Sequence, residues 1–362
     1  MKRQSRTIPT PYRNRVARLR EVLARRKLDG YLVQNRMDQY WLTGFTGEDG
    51  YVLVTTRQVV LLSDGRFNES ADLECPWARK VLRKVRTPER TAQEFRKYKL
   101  KRVGFDPGHL TVAEHTGLRK AARPARLVGI PGAILDMRLL KDEGEVATIR
   151  KAIRVAEEAF TRMVKWLRPG VTEAEVSARL AYEMQRLGAQ EVAFPTIVAV
   201  GPNASLPHYE AGQGVVKNSQ GILIDWGARV GWYISDLTRM VWPGRVPPLM
   251  AKIQRVVREA HDQAIAAVRP GVTASYVDGV ARKVIAKAGY GPQFGHALGH
   301  GIGLDVHEAP RVGKEMKKLV LKPGMVITIE PGIYLPGKGG VRLEDDVLVT
   351  ETGYEVLSSL PL

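Results

Sequence analysis

Residues 221–239, GILIDWGARVGWYISDLTR, contain two apolar runs that each carry an aspartate. The first run, 221–224, leads into Asp225, and the second, 232–237, carries Asp236 after a glycine-containing turn. Partner residues in an antiparallel hairpin have a constant index sum. A turn centred on residues 230–231 therefore predicts that Asp225 and Asp236 lie opposite or nearly opposite each other.

Two facing carboxylates repel each other, and protons, a cation or solvent must offset that repulsion. Residues 222–224 and Ile234 around the pair are apolar, which disfavours solvent alone and favours a bound metal. Two exposed aspartates at strand ends are the alternative that this hairpin leaves open by itself. The rest of the chain has to distinguish the two.

Composition indicates a soluble protein of more than one domain. A chain of 362 residues suggests about two domains, and 44% hydrophobic with 26% charged residues is typical of globular proteins. Cys75 is the single cysteine, which excludes an intrachain disulfide and suits a reducing compartment. No run approaches the length of a membrane span. We expect a cytoplasmic protein.

The net charge of +18 raises the question of a polyanionic partner. The basic residues are spread along the whole chain, without zinc-finger spacing or an RNA-binding signature. This distribution predicts weak, salt-sensitive binding to nucleic acid and no specific nucleic-acid partner. A nucleic-acid-associated protein stays an alternative, and it would require binding that persists at about 0.15 M salt.

The chain divides by pattern into two parts. After a basic lead at residues 1–10, helical and strand patterns alternate, which predicts a small α/β domain at 1–135. Beyond a linker at 131–142, the phrase RPGVT occurs at 168–172 and again at 269–273, each time before an amphipathic helix. This repeat predicts a domain at 143–362 built from two related α+β halves, 143–245 and 246–362, with a site that draws ligands from both.

A second hairpin matches the first. The stretch VITIEPGIY, 326–334, predicts a strand that ends at Glu330, and VRLEDDVLVT, 341–350, predicts a return strand with Glu344. The stretch FGHALGHGIGLDVHE, 294–308, lies between the two hairpins in sequence and carries His296, His300 and His307. Each half therefore supplies a carboxylate pair, and a histidine-rich loop comes between them.

Four carboxylates and one imidazole suit two adjacent divalent cations bound through oxygen and nitrogen. Two cations lower the pKa of a shared water from near 16 to about 7 and so generate a hydroxide nucleophile. A carboxylate can take the remaining proton, and free histidines can bind the substrate. The chemistry indicated is hydrolysis of an amide or ester. The phrase HEAPR at 307–311 has Arg311 in place of a second histidine, which excludes a thermolysin-type zinc helix.

These phrases resemble a known family. SDLTR, GHGIGLDVHE, TIEPGIY and RLEDDVLVT are similar to the signatures of the pita-bread metallopeptidases, which include methionine aminopeptidase, aminopeptidase P, prolidase and creatinase. YWLTGFTGEDG and LLSDGRF resemble the creatinase/prolidase N-terminal domain. The resemblance implies an α+β protein with a pita-bread fold of two pseudo-symmetric halves, preceded by a smaller α/β domain. It points to Xaa-Pro peptidases.

The resemblance also implies roles for residues. Asp225 would bind one metal ion, Asp236 and Glu344 would bridge two, and His300 and Glu330 would hold the second, with Glu330 also taking the proton of the water. His208 and His307 would contact the substrate and assist catalysis, and Arg342 would lie near the site, support it and take part in substrate binding. His296 is equally well explained as a supporting histidine. The implied ions are Mn, Co or Zn, and the implied assembly is a homodimer.

Two branches of the family fit. The pattern favours an Xaa-Pro aminopeptidase acting on short proline-containing peptides, with a dipeptide-specific prolidase as the alternative. Arg311 resembles an arginine that some prolidases use to hold the substrate carboxylate, to which a guanidinium binds well. A catalytically silent peptide- or nucleic-acid-binding relative is the more distant alternative, and it predicts missing metal ligands. All five ligand types are present.

Overall fold

The computed structural model describes residues 7–362, and the chain divides into two compact units after Met137. The predicted basic lead lies partly outside the described residues, and the first helix already begins at Thr10. The first unit ends two residues beyond the boundary at 135 that the sequence predicts.

The first unit is built on one mixed sheet. Its strands lie in the order β4-β3-β2-β1-β5-β6, and β1 pairs antiparallel with β2 and parallel with β5. Leu32 and Val103 of the sheet pack with Phe95 of α4 and Leu118 of α5 in its core. The α/β alternation is confirmed, although the pattern did not indicate α2, α3 and β4. The elements are α1 (Thr10–Arg26), β1 (Gly30–Val33), α2 (Arg36–Thr43), β2 (Tyr51–Thr55), β3 (Val59–Ser63), α3 (Asn68–Glu74), β4 (Arg79–Leu82), α4 (Thr87–Lys97), β5 (Arg102–Phe105), α5 (Val112–Ala121), β6 (Arg126–Gly129) and, at the boundary, α6 (Leu135–Arg138).

Most of the net charge lies in this unit. Residues 1–137 contain 28 Lys and Arg against 14 Asp and Glu, whereas residues 138–362 contain 28 against 24. The parallel strands β1, β5 and β6 each follow a helix whose last turn is basic and exposed, with Arg25 and Arg26, Arg96 and Lys97, and Arg119 and Lys120 respectively. Arg102 and Arg126 are paired at the starts of their strands. We refer to these eight residues as the basic edge. The acidic residues have nearly the same density in both units, whereas the basic residues, although present along the whole chain, are concentrated in the first.

The second unit contains the repeat. Its first half has a sheet in the order β12-β9-β8, and its second half has one in the order β14-β13-β15-β18-β19. Among the described helices, none combines the length and apolar character needed to cross a bilayer. The elements are α7 (Glu143–Trp166), α8 (Glu173–Arg186), β7 (Glu191–Val192), β8 (Ile197–Val200), β9 (Ile222–Trp226), β10 (Ala228–Val230), β11 (Tyr233–Ile234), β12 (Leu237–Val241), α9 (Pro248–Ala267), α10 (Ala274–Lys287), β13 (Gly299–Gly301), β14 (Glu308–Val312), β15 (Val326–Ile329), β16 (Gly332–Leu335), β17 (Gly339–Arg342), β18 (Asp345–Val349) and β19 (Tyr354–Val356).

The two halves repeat in detail. Thr172 caps α8 and Thr273 caps α10, each through its hydroxyl oxygen and the third backbone N–H of the helix. The bridge between Thr172 and Val215 in the first half has its counterpart between Thr273 and Val320 in the second. The predicted pair of related α+β halves is confirmed.

Each half has its own core of helix against sheet. In the first, Phe160 of α7 and Leu180 of α8 pack with the strand residue Ile224. In the second, the same arrangement joins α9 and α10 to β15 and β18, with Val257 and Ile327 buried together. The strands that carry the acidic residues therefore rest on packed helices, which restricts their movement.

The Pro–Gly turns give a stability prediction. Gly271 has a φ of +87°, and a Cβ built there would meet nothing within 4 Å. Gly271→Ala should lower the free energy of unfolding by about 1 kcal/mol, because the left-handed backbone and not a clash opposes the side chain. Gly279→Ala inside α10 is the matched control: its Cβ also meets open space, and we expect about 0.5–1 kcal/mol of stabilisation. Urea unfolding measures the free energy of unfolding of both variants. Equal effects of the two substitutions would contradict backbone strain at position 271.

Candidate metal centre

The first hairpin differs in register from the sequence prediction. Gly231 and Trp232 both have positive φ, so the chain turns there and not at residues 230–231. Asp225 consequently pairs with Thr238, and Asp236 lies diagonally from Asp225 rather than opposite it. Cross-strand diagonal neighbours still lie within reach of each other's side chains, and the charge of Asp225 acts on Asp236.

The second hairpin has the simpler register. Ile329 pairs with Asp345 and Gly332 with Arg342, which places Glu330 directly opposite Glu344. The hairpins of the two halves join at Thr238 and Glu344: the Glu344 N–H donates to the Thr238 carbonyl at 3.2 Å, and the Thr238 hydroxyl donates to Glu344 Oε2 at 2.6 Å. The two carboxylate pairs therefore meet in one buried cluster.

His300 enters this cluster from β13. Its backbone N–H donates to Thr328 Oγ1 at 3.1 Å, and its Nδ1 lies 3.1 Å from the Gly301 carbonyl oxygen. Nε2 then lies 3.6 Å from Asp236 Oδ2 and 3.5 Å from Glu330 Oε1. Ligand atoms of Asp236, His300 and Glu344 all lie within 4.8 Å of one another.

The cluster has unbalanced charge. Burial first, and then the neighbouring carboxylates, raise the pKa of Asp236 and of Glu344 well above their usual range. Burial raises the pKa of Glu330 to about 8, although Arg342 opposes this shift. Burial and the nearby His307 lower the pKa of His300 to about 4, so its imidazole is neutral at physiological pH. Divalent cations would relieve the repulsion and use the free imidazole nitrogen.

Asp225 provides a test of whether metal ions fit. Its Oδ2 accepts a hydrogen bond from Arg342, whereas its Oδ1 is buried and has no hydrogen-bond partner among the described residues. A buried carboxylate oxygen without a partner is costly. A cation beside the cluster would satisfy this oxygen, so the donor set of oxygens and one neutral imidazole fits divalent ions.

Arg342 and His296 contact protein groups. The buried Arg342 guanidinium donates to Asp225, to Thr238 Oγ1 at 3.1 Å, to Tyr334 Oη at 3.0 Å and to the Pro207 carbonyl at 3.2 Å. His296 Nε2 lies 2.9 Å from the same Tyr334 oxygen. These contacts favour support of Asp225 over the direct substrate contact expected for Arg342, and they favour the supporting alternative for His296.

A cleft of about 850 Å³ includes the cluster in its wall. His208, His307 and Arg311 also line it, and all three side chains are exposed. The ring of His307 lies 4.4 Å from that of His300, and burial and His208 lower its pKa. The structure thus brings together all the residues predicted for the site.

Three buried acids near the site were not among the predicted residues. Asp346 Oδ2 accepts the backbone N–H of Asp236 at 3.2 Å. Glu308 accepts the Leu304 N–H at 2.9 Å and pairs with Lys141 at 3.2 Å and with Arg138. Although burial opposes it, these two cations hold the pKa of Glu308 below its usual range. Glu173 contacts the loop that carries His208. Glu308 follows His307 directly, which is the one signal that could have indicated it.

Comparison with known proteins identifies the family. Residues 147–351 match the metallopeptidase family M24, and residues 15–140 match the creatinase/prolidase N-terminal domain. The chain belongs to metallopeptidase family M24. It is therefore a metallopeptidase, and membership in M24 implies divalent metal ions, as the chemistry of the cluster does.

The similarity to individual M24 relatives extends over nearly the whole chain. An Xaa-Pro dipeptidase of Pyrococcus horikoshii is 35% identical over 347 residues, covering 95% of this chain and 96% of the relative. The structure of an Xaa-Pro dipeptidase from Bacillus anthracis has a TM-score of 0.93 at 33% identity, covering 97% of this chain and 98% of that one. That of an X-Pro aminopeptidase from Thermotoga maritima has a TM-score of 0.88 at 35% identity, covering 92% and 96%. The expected pita-bread fold with a creatinase-type N-terminal domain is confirmed.

The raised pKa of Glu330 predicts how stability of the metal-free M24 protein depends on pH. A folded pKa of about 8 against the ordinary 4.5 means that the folded state binds more protons than the unfolded state between these values. The contribution to stability is full below pH 4.5 and is lost as pH rises through 8. Calorimetry of chelated wild type and Glu330→Gln should show a steeper fall of the melting temperature with pH in the wild type. The same dependence of melting temperature on pH in both proteins would contradict the raised pKa of Glu330.

The geometry also separates metal binding from substrate contact. Asp236→Asn should lower bound divalent metal and activity together, because a ligand atom of Asp236 lies within 4.8 Å of ligand atoms of both His300 and Glu344. His307→Ala should keep the metal and lower activity by about 10²-fold or more, the usual cost of a lost catalytic proton donor. Metal analysis of both purified variants checks this. Wild-type metal occupancy in Asp236→Asn would contradict the assignment of this residue.

Proposed function

We propose that this M24 protein is an Xaa-Pro dipeptidase. The observation that carries this proposal is its similarity along nearly the whole chain to the dipeptidases of P. horikoshii and B. anthracis. The family resemblance that the sequence carries favours an Xaa-Pro aminopeptidase and keeps the dipeptidase as the alternative; the relatives reverse that order. The aminopeptidase of T. maritima makes Xaa-Pro aminopeptidase the second candidate.

Arg311 supports the dipeptidase. It lines the same cleft as His307, four residues along the chain, and its side chain is exposed to the cleft solvent. A dipeptide has its free carboxylate one residue from the scissile bond, and a guanidinium binds a carboxylate with two parallel hydrogen bonds. An aminopeptidase must instead leave that position open for a longer chain.

We infer that two divalent ions, Mn, Co or Zn, are held by Asp225, Asp236, His300, Glu330 and Glu344. Such ions supply Lewis acidity that lowers the pKa of water and polarises the scissile carbonyl. Glu330 accepts the proton of the attacking water at its carboxylate and transfers it to the departing proline nitrogen. His208 and His307 donate N–H groups to the peptide oxygen as negative charge develops there. The homodimer and the cytoplasmic location remain predictions.

A substrate comparison tests this proposal. The protein is dialysed against chelator, Mn²⁺, Co²⁺ or Zn²⁺ is added back, and cleavage of Ala-Pro, its C-terminal amide and Ala-Pro-Ala is measured. We expect metal-dependent cleavage of Ala-Pro, with kcat/KM about tenfold to a hundredfold lower for the amide, as the loss of a charge-assisted hydrogen bond implies. Equal cleavage of Ala-Pro-Ala would favour the aminopeptidase.

Arg311→Gln tests the residue behind that preference. It should raise KM for Ala-Pro while leaving the amide unchanged, so that the two substrates become equivalent. Lys314→Gln is the matched control, because Lys314 is an exposed cation three residues away that does not line the cleft. If Arg311→Gln kept the preference for the free carboxylate, another group would have to bind it.

A further inference from the structure

Glu173 is a fully buried carboxylate outside the metal cluster. It is the first residue of α8, and its exposed fraction is 0%. Oε1 accepts the Val200 N–H at 2.7 Å and the Asn203 side-chain amide at 2.8 Å. Oε2 accepts the Tyr209 hydroxyl at 2.9 Å and the Gly212 N–H at 3.2 Å. One side chain therefore binds four points of the segment from 200 to 212.

This segment carries His208. Pro207 before it is held through its carbonyl by Arg342 at 3.2 Å, and Tyr209 after it is held through its hydroxyl by Glu173. Asn203 also donates to the Tyr209 hydroxyl oxygen at 2.9 Å. The exposed His208 is thus fixed on both sides by buried charged residues, while its own ring stays available to the cleft.

The second half of the unit shows that the fold does not need this acid. Ala274 follows Thr273 just as Glu173 follows Thr172, and it is equally buried. The backbone contacts match as well: the Glu173 N–H donates to the Gly214 carbonyl at 2.9 Å, and the Ala274 N–H donates to the Leu319 carbonyl at 2.9 Å. The same helix start forms with an apolar residue in the same place.

Burying a carboxylate carries a desolvation cost that an alanine does not have. No Lys or Arg of residues 7–362 forms an ion pair with Glu173; its stabilisation comes from the four donors and the positive end of α8. This costly carboxylate is present in the half that carries the loop with His208, and the other half has an alanine at the same place. Its contacts with that loop therefore explain why an acid is found here.

We propose that Glu173 is a positioning residue that holds the loop from 200 to 212 so that His208 faces the substrate. This role rests on the proposed peptidase function. Glu173 acts through His208 and has no contact with the metal cluster or the reacting atoms. Without its carboxylate, the four donors lose their common acceptor, and His208 samples positions from which it cannot reach the peptide.

The test uses Glu173→Gln, which keeps the size of the side chain but replaces one acceptor oxygen by a donor. We expect kcat/KM on the Xaa-Pro substrate to fall about 10- to 100-fold, with wild-type metal content. Glu175→Gln is the matched control, because Glu175 lies at the same helix end and binds Thr172 rather than the loop; its kcat/KM should be unchanged. Equal losses in both variants would overturn the proposal in favour of a helix-capping role.

A double-mutant cycle with His208→Ala identifies the route of the effect. If Glu173 acts through His208, Glu173→Gln should lower kcat/KM no further in the His208→Ala background, within about threefold. Independent sites would instead show additive losses. Additivity would overturn the proposal, since Glu173 would then act on something other than His208.

Hydrogen exchange of the metal-loaded protein separates failure of this inference from failure of the proposed function. Glu173→Gln should accelerate amide exchange in peptides covering 200–212 and leave β9 unchanged, whatever the substrate proves to be. If Glu173→Gln does not fold, Tyr209→Phe removes one donor to the carboxylate and should give a smaller change in the same peptides. Unchanged exchange in the loop of the folded variant would overturn the proposal even if peptidase activity is found.

Discussion

The hydrogen bonds between Thr238 and Glu344 are the point on which the site depends. They join the edge of the first hairpin to the edge of the second, so that acids separated by more than a hundred residues share one buried volume. Each hairpin is fixed by its own register and backed by its own pair of helices. A shift of one residue in either strand would turn its carboxylates to the opposite face. The geometry of the cluster therefore depends on the register of both hairpins.

The three consecutive acids Glu344, Asp345 and Asp346 have pKa shifts that alternate in direction along the chain. Glu344 and Asp346 have their pKa values raised, chiefly by burial, and their neighbours include other carboxylates. Asp345 between them pairs with Arg239 at 2.6 Å and with His261 at 3.1 Å, and these partners lower its pKa although burial opposes this. Alternation along the strand sends neighbours to opposite faces. On one face the protein supplies the balancing positive charge, and on the other the raised pKa values mean that protons or bound cations have to supply it.

Much of this arrangement could be predicted from local patterns, and the remainder depends on contacts far apart in sequence. The repeated RPGVT turns indicated two related halves, and the acid-bearing strands indicated the four carboxylates of the candidate metal site. The choice of His300 rests on the family resemblance. The register of Asp225 was predicted incorrectly, because Trp232 adopts a positive φ that its residue type does not suggest. Glu173 and Glu308 were missed because their partners, such as Tyr209 and Lys141, lie tens of residues away or more. The difference between Glu173 and Ala274 in the two repeats was the available signal for the first of them.

The basic edge has a consequence for the energetics of the first unit. Neighbouring strands are about 4.8 Å apart. The backbones of the paired Arg102 and Arg126 are therefore closer together than the screening length of about 8 Å at physiological ionic strength. Their repulsion, and that among the helix ends around them, opposes folding of this unit. Added salt weakens that repulsion. We therefore expect the folding of the N-terminal unit to depend more on ionic strength than that of the metal-binding unit, whose acidic and basic residues nearly balance.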